Sequence, residues 1–364
     1  MPLAIAYAPT RDRYRTVVVG AGPAGVLAAA HAAAAGPVLL LEASDLPRHK
    51  SCGGMIHALS VRALARHGAR IDNAIREPEQ VRFRFHDWDA EVKKPCSLTF
   101  YNVDRDAFDA LLVEMLPPNV EVAARCRALT VEQDAEGCTV TVDAQGSVLR
   151  IRCSLLIGAD GARSTIRRAI ASAGRPYVTI QDLVEFTSPI EPFFDCIYSS
   201  CIGEGHAYSY VVPKDGHALV GSVFYPGAKH PHRMQELVLQ GVRERLPAVG
   251  DTVAREACAA AHIRSMDDVL AGTGRVLLAG EAGGFLSPTS GEGISYALRT
   301  GEMAGRAAAL EPALALTAYR RSLRPLMAQI RGKLTLLPIM ESGAGRALAR
   351  VLPAPVVSAI TRYL

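Results

Sequence analysis

The sequence predicts an α/β protein in which a parallel sheet is interrupted by an inserted antiparallel sheet and followed by C-terminal helices. Three observations predict it. Residues 16–42 run TVVVGAGPAGVLAAAHAAAAGPVLLLE: a β-branched run, a glycine turn, an alanine-rich helix and a second apolar run. Buried-strand runs that end in glycine turns recur at 154–157 and 275–279. Between them, 81–101 alternate apolar and polar residues and 177–225 are rich in strand formers, which breaks the strand–helix rhythm.

The opening unit carries the dinucleotide fingerprint in the context the fingerprint requires. Thr16 to Val19 form a strand of buried-sheet composition. Gly20 allows the tight turn that follows. Gly22 lets backbone approach a pyrophosphate, with Pro23 and Ala24 opening the helix. Gly25 lets that helix pack closely on the sheet. The helix N-terminus supplies free N–H groups and the positive end of its dipole. Glu42, followed by Ala43, lies 22 residues beyond Gly20 at the end of the second strand, where its carboxylate accepts bonds from ribose hydroxyls. The competing reading is a glycine-rich turn of an unrelated α/β domain. The stretch alone does not say which dinucleotide.

Composition narrows the class. The chain has 364 residues, 49% of them apolar, enough for two linked domains and a sizeable core. Its net charge of +4 comes from dispersed residues, with no basic run interleaved with aromatics, so nucleic acid is not an expected partner. The eight cysteines form no C-x-x-C pair and no cluster with zinc spacing, so no metal is expected and a reduced, cytoplasmic setting fits. The first fifteen residues contain Arg11, Asp12, Arg13 and Arg15 and lack a long apolar core, so no signal peptide is expected. No run of 18 apolar residues occurs, so no spanning helix is expected.

Along the chain, residues 43–54 read as an irregular loop ending in Cys52-Gly53-Gly54. Asp104 is the expected N-cap of a helix whose apolar stripe is Phe108, Leu111, Leu112 and Met115. Short strands are expected at about 120–124, 127–132, 138–143 and 147–152, then a separate buried strand at 154–157 running into Gly158-Ala159-Asp160-Gly161. Most aromatics of 177–225 are expected in the sheet core, with Tyr208 and Tyr210 singled out as candidates to reach a site. The run at 275–279 leads into Gly280-Glu281-Ala282-Gly283, and a helix with Ile294, Ala297 and Leu298 on one face follows. The nucleotide domain is therefore expected to be discontinuous, at 1–80, 102–172 and 274–310. A substrate sheet occupies 81–101 and 173–273, and a helical segment 311–364.

The order and spacing of the three glycine turns resemble the flavoproteins that include aromatic hydroxylases and geranylgeranyl reductases, over nearly the whole chain. The resemblance implies a Rossmann-like FAD-binding domain of glutathione-reductase type, hydroxylase-like, with an inserted antiparallel substrate domain. It implies that Asp160 lies in a segment contacting FAD and the region of a nicotinamide cofactor, and that the acid of the late motif bonds the FAD ribitol. That acid is usually Asp; here it is Glu281, one methylene longer. Finer features resemble the geranylgeranyl reductases: Cys52-Gly53-Gly54 (with Ser51 in place of a proline), the segment 102–109 whose Arg105 lies against FAD, and Tyr208-Ser209-Tyr210-Val211-Val212-Pro213-Lys214. Residues 287–294 resemble the loop whose amides face the flavin pyrimidine. Within the family the chain is most similar to the CbrA-type bacterial branch.

The residues lend this physical support. Gly291 and Gly293 ahead of the Ile294 helix are expected to leave unpaired N–H groups suited to an anionic flavin edge. Gly280 precedes Glu281 in the late turn. Gly53 and Gly54 allow a planar ring against the backbone, with Cys52 facing it; its other reading is a structural cysteine. Arg105 pairs with a carboxylate or a phosphate, or is an exposed first-turn residue. The expected catalytic residues are Cys52, Tyr208 and Tyr210. The expected reaction is hydride transfer from reduced FAD to a carbon–carbon double bond of an apolar, isoprenoid-like small molecule, with NAD(P)H or another donor binding transiently. An FAD monooxygenase using NAD(P)H and oxygen, and a non-enzymatic flavin-binding redox sensor, are the alternatives. The apolar and basic C-terminal residues, including Leu348, Val351, Ile360, Arg346 and Arg362, pack on the protein or form a membrane-surface segment.

Overall fold

A computed structural model describes residues 5–172, 174–188 and 191–357. In it the β-branched run becomes the strand Arg13–Val19, whose last three residues are buried. It turns at Gly20 into the helix Pro23–Ala32 and returns as the fully buried strand Val38–Leu41, paired in parallel from Thr16↔Val38 to Val19↔Leu41. A Cβ at Gly25 would stand 1.8 Å from the Gly20 carbonyl, so only glycine lets the helix start this close to the strand.

The first sheet has nine strands. Its central path runs, in spatial order, Ile5–Ala6, Val120–Ala123, Val38–Leu41, Arg13–Val19, Ser147–Gly158, Val276–Leu278 and Gly272–Thr273. Residues 147–152 and 154–157 are not two strands but one. The first half of Ser147–Gly158 pairs antiparallel with Cys138–Ala144, and the second half pairs in parallel with Arg13–Val19 and Val276–Leu278. The chain needs no turn at Cys153 because that residue keeps the alternation of a strand and is buried. Gly158 stands level with both Val19 and Leu278. The three glycine turns therefore leave the sheet side by side at its carboxyl edge.

The second sheet has eight strands, in the order Val249–Ala260, Tyr177–Phe186, His217–Phe224, His206–Lys214, Phe193–Tyr198, Ile75–Asp87, Val92–Val103 and Met55–His57. Met55–His57 and the start of Ile75–Asp87 join this sheet, although the sequence places residues 1–80 in the nucleotide domain. The polar sequence 75–80 hides its strand character, and pairing with distant Tyr101 and Val103 reveals it. One face is covered by the helix Pro231–Arg245, whose Val238 and Leu239 pack with Val184, Val211 and Val220 of the sheet. The period of two sends alternate residues to the opposite face. Tyr177, Phe194, Tyr198, Tyr208, Tyr210 and Tyr225 line a cavity there, so these aromatics are mostly cavity wall and not sheet core.

The C-terminal helices Pro312–Ser322, Arg324–Glu341 and Gly343–Val351 close the structure. Tyr319, fully buried, donates its hydroxyl to the Leu278 carbonyl at 2.8 Å and fixes the first of them to the core strand. Lys94 of the second sheet donates to the Ala349 and Leu352 carbonyls at 2.9 and 2.5 Å, and Arg350 bonds Asp87. The last helix is thus held on the protein, with Leu348 and Val351 exposed; Ile360 and Arg362 lie outside the described residues. Among the described residues no helix is long and apolar enough to cross a membrane.

Candidate active site

A cavity of about 1580 Å³ runs from the fingerprint turn to the aromatic face of the second sheet. Every candidate site residue except Gly25 lines it. Gly25 serves the turn by close packing instead.

At the fingerprint end, the helix Pro23–Ala32 begins at Gly22 with no side-chain cap, so its first amides are open. A Cβ at Gly22 would stand 2.9 Å from Arg48 Nη2, which places a guanidinium against the one turn where backbone is bare. Asp109 holds Arg48 there at 2.5 Å. Sequence reasoning assigned neither residue, because a lone arginine in a polar loop carries no local signal. Glu42 is buried and accepts from the Ala21 and Ser44 amides at 2.9 and 3.0 Å, which leaves each oxygen further acceptor capacity beside Ala43.

Asp160 lines the cavity, but its carboxylate belongs to the following helix. It accepts from Ser164 Oγ, Thr165 N and Ile166 N at 2.5, 2.6 and 3.2 Å. Burial raises its pKa, against the lowering effect of those bonds. What this segment offers the cavity is wall and backbone. Glu281, half-buried, lies 3.6 Å from Lys50 Nζ and accepts from Ala261 N at 3.4 Å. Its Oε1 is 3.6 Å from where a Gly293 Cβ would stand.

The helix Ile294–Ala308 also starts without a side-chain cap. The expectation that Gly291 offers a free amide is corrected: its N–H donates to the Ser287 carbonyl at 3.0 Å, because the 287–292 loop closes on itself. Ser295 N is taken by Glu292 at 2.7 Å. Among the described residues the Gly293 and Ile294 amides make no hydrogen bond within the protein.

Facing this turn, the Cys52–Gly54 loop is pinned to the second sheet. Ser51 Oγ donates to Gln181 Oε1 at 2.5 Å, and Gln181 Nε2 donates to the Tyr210 hydroxyl. Tyr210 stacks on Phe194 with ring centroids 5.5 Å apart, and a Gly53 Cβ would lie 3.7 Å from the Tyr210 ring. Tyr208 reaches across to donate to the Ser290 carbonyl at 3.3 Å. Burial pushes both phenols up, so they stay protonated. For Cys52 burial opposes ionisation, yet the Arg105 guanidinium, the Gly54 N–H and Lys50 outweigh it and hold the thiol below its usual range. Arg105 is buried and bonds both Asp109 oxygens at 3.0 and 3.1 Å. The exposed-residue reading of Arg105 is thereby removed.

Two lysines carry no expected role from the sequence, although Lys214 closes the Tyr208–Lys214 segment. Lys214 donates to Asn102 Oδ1 and the Val103 carbonyl at 2.6 and 2.8 Å, and burial lowers its pKa to about 8. Lys333 donates to Ser287 Oγ at 3.0 Å with its ammonium 5.6 Å from the Tyr296 ring centre; burial lowers it likewise to about 8. Lys333 did have a signal: it occupies the inward stripe of its helix with Leu326, Ile330 and Leu337.

The cavity joins bare helix amides and a guanidinium that could hold a diphosphate, an acid that could take a ribose, an acid midway, and a glycine-flanked slot with room for a ring. These features fit FAD, and they define a flavin-dependent protein of the oxidoreductase and monooxygenase type. The chain belongs to the FAD binding domain family, whose profile matches residues 13–307. It is 29% identical over 338 residues to protein CbrA of Escherichia coli O6:H1 (strain CFT073), covering 89% of each chain. Its fold is similar to that of a geranylgeranyl bacteriochlorophyll reductase-like protein from Thermoplasma acidophilum, with a TM-score of 0.75, 20% identity, and 99% of this chain and 91% of that chain covered. It is also similar to OxyS anhydrotetracycline hydroxylase from Streptomyces rimosus, with a TM-score of 0.61, 20% identity, and 93% and 75% covered. The cofactor is FAD.

Proposed function

We propose that the protein is an FAD-dependent reductase acting on a carbon–carbon double bond of a largely apolar, isoprenoid-like molecule. One observation carries the reading: the slot between Cys52–Gly54 and Gly293–Ile294 opens onto a wall that includes Phe83, Leu98, Phe100, Phe194, Tyr198 and Tyr225. Such a wall takes up apolar surface at roughly 25 cal/mol per Å² removed from water. Reduced FAD supplies the hydride.

The chain's own groups have distinct tasks in this reading. Gly22, Pro23, Ala24 and Arg48 bind the diphosphate. Glu42 takes the ribose and Glu281 the ribitol. The Gly293 and Ile294 amides stabilise negative charge at the ring edge. Cys52, held by Arg105, sets the electrostatics of the slot, and the protonated Tyr208 and Tyr210 orient the substrate. NAD(P)H or another donor visits transiently. The fold shared with a hydroxylase supports a second reading, a monooxygenase using NAD(P)H and oxygen. A redox sensor has less support, because the cavity continues past the ring slot and is not sealed there.

The test is anaerobic reduction of the FAD-loaded protein followed by candidate alkenes. Reoxidation by alkene without oxygen, with a saturated product, supports the reductase. Strict dependence on oxygen with a hydroxylated product overturns it in favour of the monooxygenase.

A further inference from the structure

We propose that His31, His67 and Glu302 form a binding site for one borderline divalent transition ion of the zinc type, separate from the FAD cavity. Such a site reverses the sequence expectation of no metal. The three residues come from the fingerprint helix Pro23–Ala32, the turn after the helix Ala58–Ala65, and the late helix Ile294–Ala308. No spacing rule along the chain joins them.

The donor atoms already converge. One ligand atom from each lies within 4.8 Å of the other two. His67 Nε2 is 3.7 Å from Glu302 Oε2, and the two imidazoles meet edge to face with centroids 5.0 Å apart. A tetrahedral ion with bonds of about 2.0–2.2 Å needs its donors about 3.4 Å apart. The widest separation, at most 4.8 Å, therefore has to shorten by about 1.4 Å on binding. Among the described residues the His31 ring nitrogens accept and donate no hydrogen bond within the protein.

The backbone around the triad is fixed. A Cβ at Gly305 would stand 2.4 Å from the Ala28 carbonyl and 2.7 Å from His31 Cβ, so the late helix lies directly on the fingerprint helix at this point. Arg306 divides the work of the Glu302 carboxylate. Its Nη2 holds Oε1 at 2.7 Å, which leaves Oε2 turned to His67. A carboxylate oriented by a second partner is the usual support of a metal ligand. The side chains of His67 and Glu302 are 23% and 26% exposed, so solvent reaches the cluster and a water can complete the four positions. Two imidazoles and one carboxylate oxygen suit Zn²⁺, Co²⁺ or Ni²⁺ and not Mg²⁺ or Ca²⁺, which prefer all-oxygen shells. None of the three residues lines the cofactor cavity. The ion would tie together two helices whose N-terminal ends face FAD, and stabilise the fold by mass action.

The test uses the full-length, FAD-loaded protein stripped with a chelator and titrated calorimetrically with zinc chloride. One equivalent per chain should bind, with a rise in Tm, and magnesium chloride should do neither. His31→Gln and His67→Gln should each abolish the tight equivalent, and Arg306→Ala should weaken it about tenfold, the lower range for a second-layer partner. A wild-type protein that takes up no zinc overturns the proposal, whatever the variants do. Wild-type zinc affinity retained in both histidine variants also overturns it, and assigns the zinc to other groups such as the free cysteines. Flavin content reports whether each variant has folded.

Discussion

Arg105 grips both oxygens of the Asp109 carboxylate, one turn further along the same helix, and both side chains are almost wholly buried. The same carboxylate also accepts from Arg48 through its Oδ2. One anion thus positions the guanidinium beside the Gly22 turn and the guanidinium beside Cys52, at two separate parts of the cofactor cavity.

Asp109→Asn should therefore be among the most damaging single changes. It leaves two arginines, 15% and 7% exposed in their side chains, without their shared counter-charge. Breaking a buried pair of this kind costs about 3–5 kcal/mol. Urea unfolding should show a loss of that order together with reduced FAD content. A variant with wild-type midpoint and full flavin would show that solvent or cofactor already neutralises the arginines.

Cys52 should ionise below the ordinary thiol range, so its alkylation by iodoacetamide should proceed readily at neutral pH. The positive charge of Arg105 favours the thiolate, so Arg105→Gln removes that support and raises the pKa. At neutral pH the variant should react several-fold more slowly, with its pH–rate curve displaced upward. Superimposable curves would remove Arg105 as the cause.

Lys333 and Lys214 give the protein an alkaline signature. Each has its folded pKa lowered from 10.5 to about 8. Between about pH 8 and pH 10 the unfolded chain binds more protons at these positions, so their contribution to stability rises with pH. Lys333→Met removes one share. The stability of the wild type relative to this variant should increase from pH 8 to pH 10 in urea titrations. A pH-independent difference would contradict the buried, depressed lysine.

Glu281→Ala should lower FAD retention on dilution, because the cavity loses the acid between Lys50 and the Gly293 turn. Glu281→Asp should restore part of it. Unchanged flavin content in the alanine variant would take Glu281 out of the ribitol role.

The fingerprint and the two later glycine turns were legible because each is a local event: a strand, a turn and a helix start, contiguous in the chain. Asp104 as a helix cap was readable for the same reason, and its side chain accepts from Ala107 N at 2.8 Å. Arg48 and Asp109, 61 positions apart, were not, since nothing local marks either as one half of a pair. Period-two alternation says which residues of the second sheet share a face, but not which face receives a helix and which a cavity, so aromatics expected in the sheet core line the cavity instead. Phe194 and Tyr198 went to the cavity while Ile197 between them went under the helix Pro231–Arg245. His31, His67 and Glu302 illustrate the same limit for a donor cluster built across two helices and a turn.

The strand Ser147–Gly158 has a consequence for biosynthesis. Its inner half is flanked on one side by Arg13–Val19 and on the other by Val276–Leu278. Until residue 278 has left the ribosome, Leu156 and Ile157 present an unpaired apolar edge, the kind of surface that recruits chaperones or neighbouring nascent chains. The glycine turn at Gly280 arrives later still. A chain stopped before that point would carry an intact fingerprint and no complete cofactor cavity, so FAD capture must wait until more than three-quarters of the protein has been made.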